Sequence, residues 1–400
     1  MRKVVLFDTE ESVGNLFPIT FTRPVSYIRL GITTIFQKWE RYFPSVCTVK
    51  AVDFLSDLFP SEVKPDEEAL YVASNVLPSE ALVDELQNLK PGEALKKDDR
   101  LLAFLGNAAL LETNDFKVEK IFSHKLTRIE YVFDIFLNNH EALLEDFFII
   151  TAGRESQPIS TTNIVIGDFL DSEGRQMIFA EPGATVEGAI LNVKNGPIYI
   201  GENAEIMEGS CLRGPVALCD NSKIRMGAKV YGATTLGPFC KAGGELSNVV
   251  MLGYSNKSHD GYLGNAVIGE WCNIGAGVNA SNLKNDYSKI RIWNYRLRTF
   301  MRTDLQFCGL IMGDHSKAGV NCMFNTATVL GVGVNIHGSG FPRVFVPSFS
   351  EGSASGGFSD VSLKKFSDIA ARVMERRGIS LSPQQLSLFQ HIYDFSQSHK

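Results

Sequence analysis

A repeat of six residues constrains this sequence more than any other feature. Stepping by six from Ile200 meets only aliphatic side chains, in the series Ile200, Ile206, Leu212, Leu218, Ile224, Val230 and Leu236. Four residues after each of these stands a small residue, in the series Ala204, Ser210, Val216, Ser222, Ala228, Thr234 and Cys240. The pattern returns at Ile268 and Ile274, and again in the series Met312, Ala318, Phe324, Leu330 and Ile336.

Neither an α-helix nor a β-strand accounts for a period of six, because their side chains recur about every 3.6 and every two residues. A triangular coil does account for it. Each hexapeptide forms one flat face, its aliphatic residue points into the prism, and its small residue lies where the chain turns a corner. We therefore predict a left-handed parallel β-helix over residues 160–350, with coils from about Ile164 to about Phe349.

The six-residue register breaks twice, at Gly243–Tyr262 and at Leu283–Gly309. Both segments are predicted to project from the β-helix as loops, because insertions in repeat proteins emerge from one face. The second is rich in basic and aromatic side chains: Lys289, Arg291, Trp293, Tyr295, Arg296, Arg298 and Arg302. It is interpreted either as a solvated loop that packs on a neighbouring subunit or as a basic surface for the phosphates of a nucleotide-bearing cofactor.

Residues 1–155 predict an α/β domain that ends in a linker helix. Strand-like apolar runs at Val4–Phe7 and Leu101–Phe104 alternate with helical stretches at Ile32–Phe43 and Ser79–Leu89. The stretch Lys125–Ile150 has the apolar spacing of a helix leading into the β-helix.

After the β-helix, Ser350–Gly357 is interpreted as a Gly/Ser linker, and residues 358–400 are predicted to form C-terminal helices. Gly378 is expected to end the first helix, and Ser382 with Pro383 to begin the second. The apolar face of the first helix comprises Phe366, Ile369, Ala370, Val373 and Met374. The pattern indicates no chemistry in these helices, which we expect to pack on the β-helix.

Composition excludes several classes of protein. The formal net charge is −6, without the basic stripe of a nucleic-acid binder. Apolar runs are too short to span a membrane, and the first residues turn acidic too early for a signal peptide. Seven cysteines without a CxxC pair are typical of reduced core residues. We expect a cytoplasmic protein that binds neither nucleic acid nor a membrane.

The segment most suited to chemistry follows the first register break. It places His259 and Tyr262 ahead of Asn273 and Asn282. A neutral histidine can take a proton from an attacking amine, and asparagine side chains can orient a polar acceptor. A loop histidine is more often structural than catalytic, so composition alone does not assign His259 a role.

This segment resembles the acetyltransferase half of the bifunctional glucosamine-1-phosphate N-acetyltransferase / N-acetylglucosamine-1-phosphate uridyltransferase family (GlmU). That family has a His-x-x-Tyr-Leu-Gly stretch, then Asn-Ile-Gly-Ala-Gly, then a further asparagine, at the intervals found here. The resemblance implies that His259 is the general base. It also implies that Tyr262, Asn273 and Asn282 contact an amino-sugar acceptor.

The same resemblance implies that Gly275 and Ala276 bind acetyl-CoA, and that three chains pack around a threefold axis as a homotrimer. Two departures concern the acceptor. Leu283 stands where the family has tyrosine, and the lysine that holds the sugar phosphate is absent from Glu245–Asn248. Lys257 is the candidate for that phosphate contact, and Lys241 is another.

The N-terminal part resembles a divergent sugar-nucleotidyltransferase family through the run Asn15–Pro24, which is similar to the Leu-x-Pro-Leu-Thr-x-x-Arg-Pro run of pyrophosphorylases. Those enzymes have a Gly-rich phosphate loop before this run and a lysine after it. Here the loop Asp8–Gly14 is acidic with one glycine, and Val25 replaces the lysine. The polar residues left for a nucleotide site, where Mg²⁺ is a possible cofactor, are Asp8, Arg23, Arg29 and Lys38.

Three functions are consistent with these patterns. The leading one is a transferase of sugar-nucleotide metabolism, on the route to UDP-N-acetylglucosamine, that transfers an acetyl group from acetyl-CoA to the nitrogen of an amino-sugar phosphate or nucleotide on the β-helix. The second is a nucleotidyltransferase that joins a sugar 1-phosphate to UTP or dTTP. The third is a non-catalytic homologue that binds a sugar nucleotide. The acidic, glycine-poor phosphate loop favours the non-catalytic function for the N-terminal half. The intact His–Tyr–Asn spacing opposes that function for the C-terminal half.

Overall fold

The computed structural model describes residues 2–43 and 47–398. The chain divides into two compact units. Of the described residues, the first comprises 2–16, 22–28, 33–43 and 47–131, and the second comprises 17–21, 29–32 and 132–398.

The first unit is built on a six-stranded mixed sheet. Its strand order is Cys47–Lys50, Val4–Phe7, Ala69–Ala73, Arg100–Gly106, Glu93–Lys97 and Val118–Ile121. The Val4–Phe7 strand is buried along its whole length and pairs in parallel with both of its neighbours, as expected of a strand covered on both faces. The unit's other elements are α-helices Glu10–Asn15, Ile35–Tyr42, Asp53–Ser56, Glu80–Gln87 and Leu110–Thr113, the 3₁₀ turn Val25–Tyr27 and the short strand Thr33–Thr34. The α/β prediction is confirmed.

The second unit is a parallel β-helix, which also confirms the prediction. Strands of one row are Ile178–Ala180, Ile198–Ile200, Val216–Leu218, Thr234–Leu236, Ile311–Met312, Val329–Leu330 and Phe345–Val346. A second row contains Ile164–Ile166, Ile190–Asn192, Cys211–Arg213 and Lys229–Tyr231, and the strands Asn279–Ala280 and Met323–Phe324 form a separate pair. Two long strands, Glu245–Gly253 and Tyr262–Glu270, belong to the same sheet as both rows. The third row contains Thr185–Val186, Glu205–Ile206, Lys223–Ile224, Lys241–Ala242, Asn256–Lys257, Asn273–Ile274, Lys317–Ala318, Asn335–Ile336, Ser350–Ser353 and Gly357–Asp360.

The six-residue period explains this architecture. Ile200 pairs with Leu218, which pairs with Leu236, so residues 18 positions apart lie at successive levels of one row. Three hexapeptides therefore complete one coil. Every aliphatic residue of the series from Ile200 to Leu236 is at most 2% exposed, and each small residue of the companion series is buried as well.

The first register break is not a projecting loop, so that prediction was wrong. Ala242 pairs with Lys257, 15 positions on, where a regular coil would need 18. Leu246 pairs with Leu263, 17 positions on. The coil is shortened, and its strands run through a corner instead of stopping at it.

The second break is a true insertion. It contains an antiparallel hairpin of strands Arg291–Asn294 and Thr299–Arg302. The next coil resumes at Ile311, which pairs with Val267. This half of the loop prediction is confirmed.

Ser350–Gly357 is not a flexible linker. Ser350–Ser353 forms the last level of the third row and turns back as a hairpin with Gly357–Asp360. Helices Leu363–Glu375 and Pro383–Gln397 follow, the second with the expected capping box at Ser382. They pack on the β-helix through aromatic contacts such as Phe349 with Phe366, whose ring centroids are 4.8 Å apart.

The predicted linker helix is two helices, Asp134–Leu137 and Asn139–Thr151, and both belong to the second unit. Asn139 holds the longer helix on the β-helix, because its Nδ2 donates to the carbonyl of Ala233 at 2.8 Å. The chain also contains a 3₁₀ turn at Ile19–Phe21 and a short strand at Arg29–Leu30. Among the helices of residues 2–43 and 47–398, none is long and apolar enough to cross a membrane.

Candidate active site

A cavity of about 590 Å³ lies on the third row of the β-helix. Its floor comes from outward-facing residues at successive levels, because Lys241 pairs with Asn256, Asn256 with Asn273, and Asn273 with Lys317. Alternation along each short strand points these side chains outward while their neighbours fill the core. The remaining lining residues are Tyr254, Ser258, His259, Trp271, Cys272, Ile274, Gly275, Ala276, Val320, Val373, Arg376 and Arg377.

The cavity is strongly cationic. It is lined by Lys241, Lys317, Arg376 and Arg377, and none of the described lining residues carries a carboxylate. Burial, followed by the charge of Arg377 and other nearby cations, lowers the pKa of Lys241, and burial lowers the pKa of Lys317. Unneutralised cations in a concave surface concentrate anions. The geometry therefore suits a ligand with phosphate groups.

Two of the four cations come from the C-terminal helical segment, which the sequence pattern did not connect with chemistry. Val373 lies on the first C-terminal helix, and Arg376 and Arg377 follow directly after that helix ends at Glu375. The adjacent arginines ahead of Gly378 were the available signal.

An aromatic stack runs along one corner beside the cavity. Phe239, Tyr254, Trp271 and His315 take the corner position of four successive coils, each with a positive φ of 54–62°. The ring centroids of Tyr254 and Trp271 are 4.2 Å apart at an interplanar angle of 11°. His315 lies edge-on to Phe366 of the C-terminal helix, at 5.6 Å between ring centroids. The stack thus connects the cavity wall to that helix.

Four residues that the resemblance singled out meet in this cavity: His259, Asn273, Gly275 and Ala276. His259 and Asn273 are exposed, so their polar atoms are accessible to a ligand. His259 lies on the corner that follows the Asn256–Lys257 strand.

Tyr262 and Asn282 are not among the residues that line the cavity. Tyr262 begins the strand after the corner, and its hydroxyl accepts a hydrogen bond from Asn282 Nδ2 at 3.0 Å. Asn282 also donates to Asn265 Oδ1 at 2.7 Å. Gly264 leaves room for this pair, because a Cβ there would lie 2.2 Å from the Tyr262 oxygen. Within one chain these residues form a second polar cluster.

Lys257 is fully buried inside the prism. Its Nζ donates to the backbone carbonyl of Gly243 at 3.4 Å and to that of His259. Burial lowers the pKa of its ammonium to about 8. This placement does not present Lys257 to an acceptor phosphate, whereas Lys241 lines the cavity.

The four residues predicted for the N-terminal nucleotide site are divided between the two units, with Asp8, Arg23 and Lys38 in the first and Arg29 in the second. Asp8 accepts hydrogen bonds from Ser74 Oγ and, at 3.3 Å, from the backbone N–H of Val25. Burial raises the pKa of its carboxyl to about 7. Arg23 and Lys38 are buried in the first unit. Arg29 belongs to the second unit, where its guanidinium donates to the carbonyls of Ile32 and Leu252.

The first unit has a cavity of its own, of about 320 Å³, to which none of these four contributes. Its polar lining includes Thr9, Glu11, Ser12, Asn15, Asn75, Arg100, Asn114, Arg128 and Glu130. Glu130 forms an ion pair with Arg100, and its Oε1 also lies 3.6 Å from Arg128 Nη1. Within the described part of the chain, no three His, Cys, Asp or Glu side chains are grouped as metal ligands.

Residues 4–155 match the family model described as sugar nucleotidyl transferase. The bifunctional protein GlmU of Wolbachia pipientis wMel is 27% identical over 186 residues, covering 41% of this chain and 43% of that protein. GlmU of Trichodesmium erythraeum (strain IMS101) is 29% identical over 140 residues, covering 34% of this chain and 25% of that protein.

The resemblance to a sugar-nucleotidyltransferase family and to GlmU is therefore confirmed, at modest identity and over part of the chain. This supports the prediction of an enzyme of the transferase class. The chain spans less than half the length of these two relatives.

Two solved structures also align with this chain. The UDP-N-acetylglucosamine acyltransferase of Francisella novicida aligns at 14% identity and a TM-score of 0.30, covering 55% of this chain and 78% of that one. A mutant of AntD, an N-acyltransferase from Bacillus cereus in complex with dTDP and coenzyme A, aligns at 13% identity and a TM-score of 0.23, covering 50% of this chain and 89% of that one.

Proposed function

We propose that the β-helix unit is an N-acyltransferase that moves an acyl group, acetyl in the simplest case, from coenzyme A to the amine of an amino-sugar phosphate or nucleotide. One observation carries the proposal: His259, Asn273, Gly275 and Ala276 surround a single cavity whose charged side chains are cationic. A histidine able to accept a proton and a surface for phosphates are the two things this reaction needs from a protein.

The reaction follows from these positions. An amine near pH 7 is largely protonated and cannot attack until it loses a proton. His259 takes that proton, the nitrogen bonds to the thioester carbon, and the carbon–sulfur bond breaks. The departing thiolate of coenzyme A receives a proton and leaves as the thiol. The backbone N–H of Ala276 holds the thioester end, since that of Gly275 donates to the Ala318 carbonyl at 2.9 Å, and Asn273 orients the acceptor.

The cationic side chains of the cavity account for binding of the acyl donor, coenzyme A. Coenzyme A carries a diphosphate and a 3′-phosphate, and Arg376, Arg377, Lys241 and Lys317 supply matching charge. Arginine binds phosphate through two parallel N–H donors, and lysine binds it as a point charge. Part of the same set would hold the phosphate of the acceptor.

In this proposal, Tyr262 and Asn282 contribute to the cavity of a neighbouring chain. In one chain they do not line the cavity. A homotrimer with the cavity of one chain facing the Tyr262–Asn282 cluster of the next would complete an acceptor site.

The first unit favours a second candidate function, binding of a sugar nucleotide with weak or no nucleotidyl transfer. The segment expected to be a phosphate loop is helix Glu10–Asn15, with Glu10 and Glu11 in its first turn. Carboxylates there repel a triphosphate. Pyrophosphate release from UTP or dTTP with a panel of sugar 1-phosphates should stay near background, and turnover on the order of 1–1000 per second would contradict this assignment.

A direct test combines binding with turnover. Acyl-CoAs and sugar nucleotides should each raise the melting temperature of the full chain, since a ligand at hundredfold excess over Kd stabilises by about 2.7 kcal/mol. Acetyl-CoA with a panel of amino-sugar phosphates and nucleotides should release free thiol only when an acceptor amine is present. Thiol release that ignores the acceptor, or no release with any of them, would reject N-acyl transfer.

A further inference from the structure

An ammonium group lies in the apolar core of the prism. Ile206, Ile224 and Ala242 occupy successive levels of one inward-facing column, and Lys257 takes the next level. Its exposed fraction is 0%. Every other level of this stretch uses an apolar side chain, which fills the space without a desolvation penalty.

The lysine reaches a corner of the coil from inside. Its Nζ donates to two backbone carbonyls, Gly243 and His259, that belong to consecutive levels. The His259 carbonyl lies on the corner 258–261, between the strands Asn256–Lys257 and Tyr262–Glu270. Since this coil is shortened, the corner does not follow the regular stacking of the coils before it.

The imidazole on that corner is exposed to the cavity, so its orientation depends on the backbone beneath it. A general base must lie within hydrogen-bond reach of the proton that it removes. A displacement of about 1 Å in a reacting group can cost about a hundredfold in rate.

We propose that Lys257 is a positioning residue, which holds the His259 corner from within the prism and so fixes the imidazole against the cavity. The proposal rests on acyl transfer at the cavity, and it replaces an acceptor contact for Lys257 with an indirect role. Burial makes the group costly where it stands, and its two carbonyl partners offset that cost.

A purely structural lysine and a positioning lysine predict different results for Lys257→Met. Methionine has similar length and no charge, and replacing a buried charge with an apolar side chain is commonly neutral or stabilising. The positioning role therefore predicts an equal or higher melting temperature, an unchanged Kd for acetyl-CoA, and a kcat lower by about tenfold or more. A structural role predicts lower stability with kcat intact in the folded fraction.

A second readout does not depend on turnover. With ¹³C-labelled histidine, the His259 imidazole signal, identified by its loss in His259→Gln, should shift in Lys257→Met and stay in place in the control Lys229→Met, whose lysine is exposed on another strand. A shifted signal in a chain without acyl transfer would uphold the positioning and reject the proposed reaction. An unshifted signal, an unchanged kcat, or failure of both Lys257→Met and Lys257→Leu to fold would overturn the positioning role.

Discussion

The guanidinium of Arg377 lies over the Phe239 ring, 5.7 Å from its centroid, and Arg377 Nη2 is 3.5 Å from the Phe239 carbonyl oxygen. Phe239 is the corner residue of a coil, and Arg377 lies two residues after the first C-terminal helix ends at Glu375. The contact therefore fixes the end of that helix against the prism. It also keeps Arg376 and Arg377 at the cavity, although neither belongs to the repeat.

The double variant Arg376→Ala/Arg377→Ala should weaken binding of coenzyme A by about 10²–10⁴-fold, because charge-assisted hydrogen bonds to phosphate contribute about 1.5–3 kcal/mol each. Titration calorimetry at two salt concentrations measures the effect, which should shrink at high salt. Arg372→Ala is the control, since Arg372 is exposed on the helix that precedes these arginines and does not line the cavity. An equal loss in the control would contradict a local phosphate site.

His259→Ala should lower kcat by about 10²–10⁴-fold and leave the Kd for acetyl-CoA nearly unchanged, because general-base catalysis contributes on that order. The measurement is thiol release at saturating donor, with calorimetry for the Kd. His337→Ala is a suitable control, since His337 is exposed on the β-helix outside the cavity lining. Parental turnover in His259→Ala would show that another group removes the proton.

The period of six was sufficient to predict the prism, because which residues face inward is a local property of each hexapeptide. It could not predict the shortened coil. A break in the register shows only that a coil has gained or lost residues. The pairing of Ala242 with Lys257 shows that this coil has lost residues. The sequence alone therefore predicts an insertion at the first break, where the structure has a shortened coil.

Motif spacing predicted half of the candidate site, just as the period of six predicted the prism. His259 and Asn273 lie on adjacent coils, so their interval in sequence reflects their distance in space. Arg376 and Arg377 reach the cavity only through tertiary packing. Arg29, predicted as one of the polar residues left for the nucleotide site, is bonded within the second unit, and local sequence contains no signal for that.

We predict that the chain is a homotrimer, because the cavity and the Tyr262–Asn282 cluster are separate within one chain. Sedimentation equilibrium at micromolar concentration should give three times the mass of 44.1 kDa. Leu297, on the inserted hairpin, is 49% exposed, and Leu297→Asp should weaken assembly if the hairpin reaches a neighbour. Leu386→Asp, the same change at a residue 41% exposed on the last helix, serves as a control. A monomeric parent would exclude sites shared between chains.

Stability of the β-helix should rise with pH through the alkaline range because of Lys257. Its pKa is about 8 in the folded chain against 10.5 for an ordinary lysine. Between these values the unfolded chain binds more protons, so the free energy of unfolding increases with pH, by on the order of 3 kcal/mol for this group. Calorimetric melts of the parent and Lys257→Met should show that the free energy of unfolding increases less between pH 7 and pH 9.5 in the variant than in the parent. Equal gains would place the lysine in contact with water.

Asp8 should produce the opposite dependence in the first unit. Burial raises the pKa of its carboxyl from 3.8 to about 7, against the lowering effect of its hydrogen bonds from Ser74 and Val25. Between those two pH values the folded chain binds more protons than the unfolded chain, so stability from this group is present below about pH 4 and is lost as pH rises through 7. Asp8 Oδ2 is buried without a hydrogen-bond partner in the described structure, which leaves the ionised form uncompensated.

Asp8→Asn keeps the acceptor oxygen for Ser74 and Val25 but cannot ionise. At pH 8 it should slow hydrogen exchange in the strand Val4–Phe7 relative to the parent, and at pH 5 the two should differ much less, because the parental carboxyl is then largely protonated. Exchange rates corrected for intrinsic pH dependence measure this, and Asp53→Asn, at an exposed position in the same unit, controls for loss of one carboxylate. The neutral variant should also tolerate a nearby phosphate better, so UTP affinity should hold or rise. Faster exchange at pH 8, together with loss of UTP binding, would mean that the ionised carboxylate of Asp8 serves the nucleotide site after all.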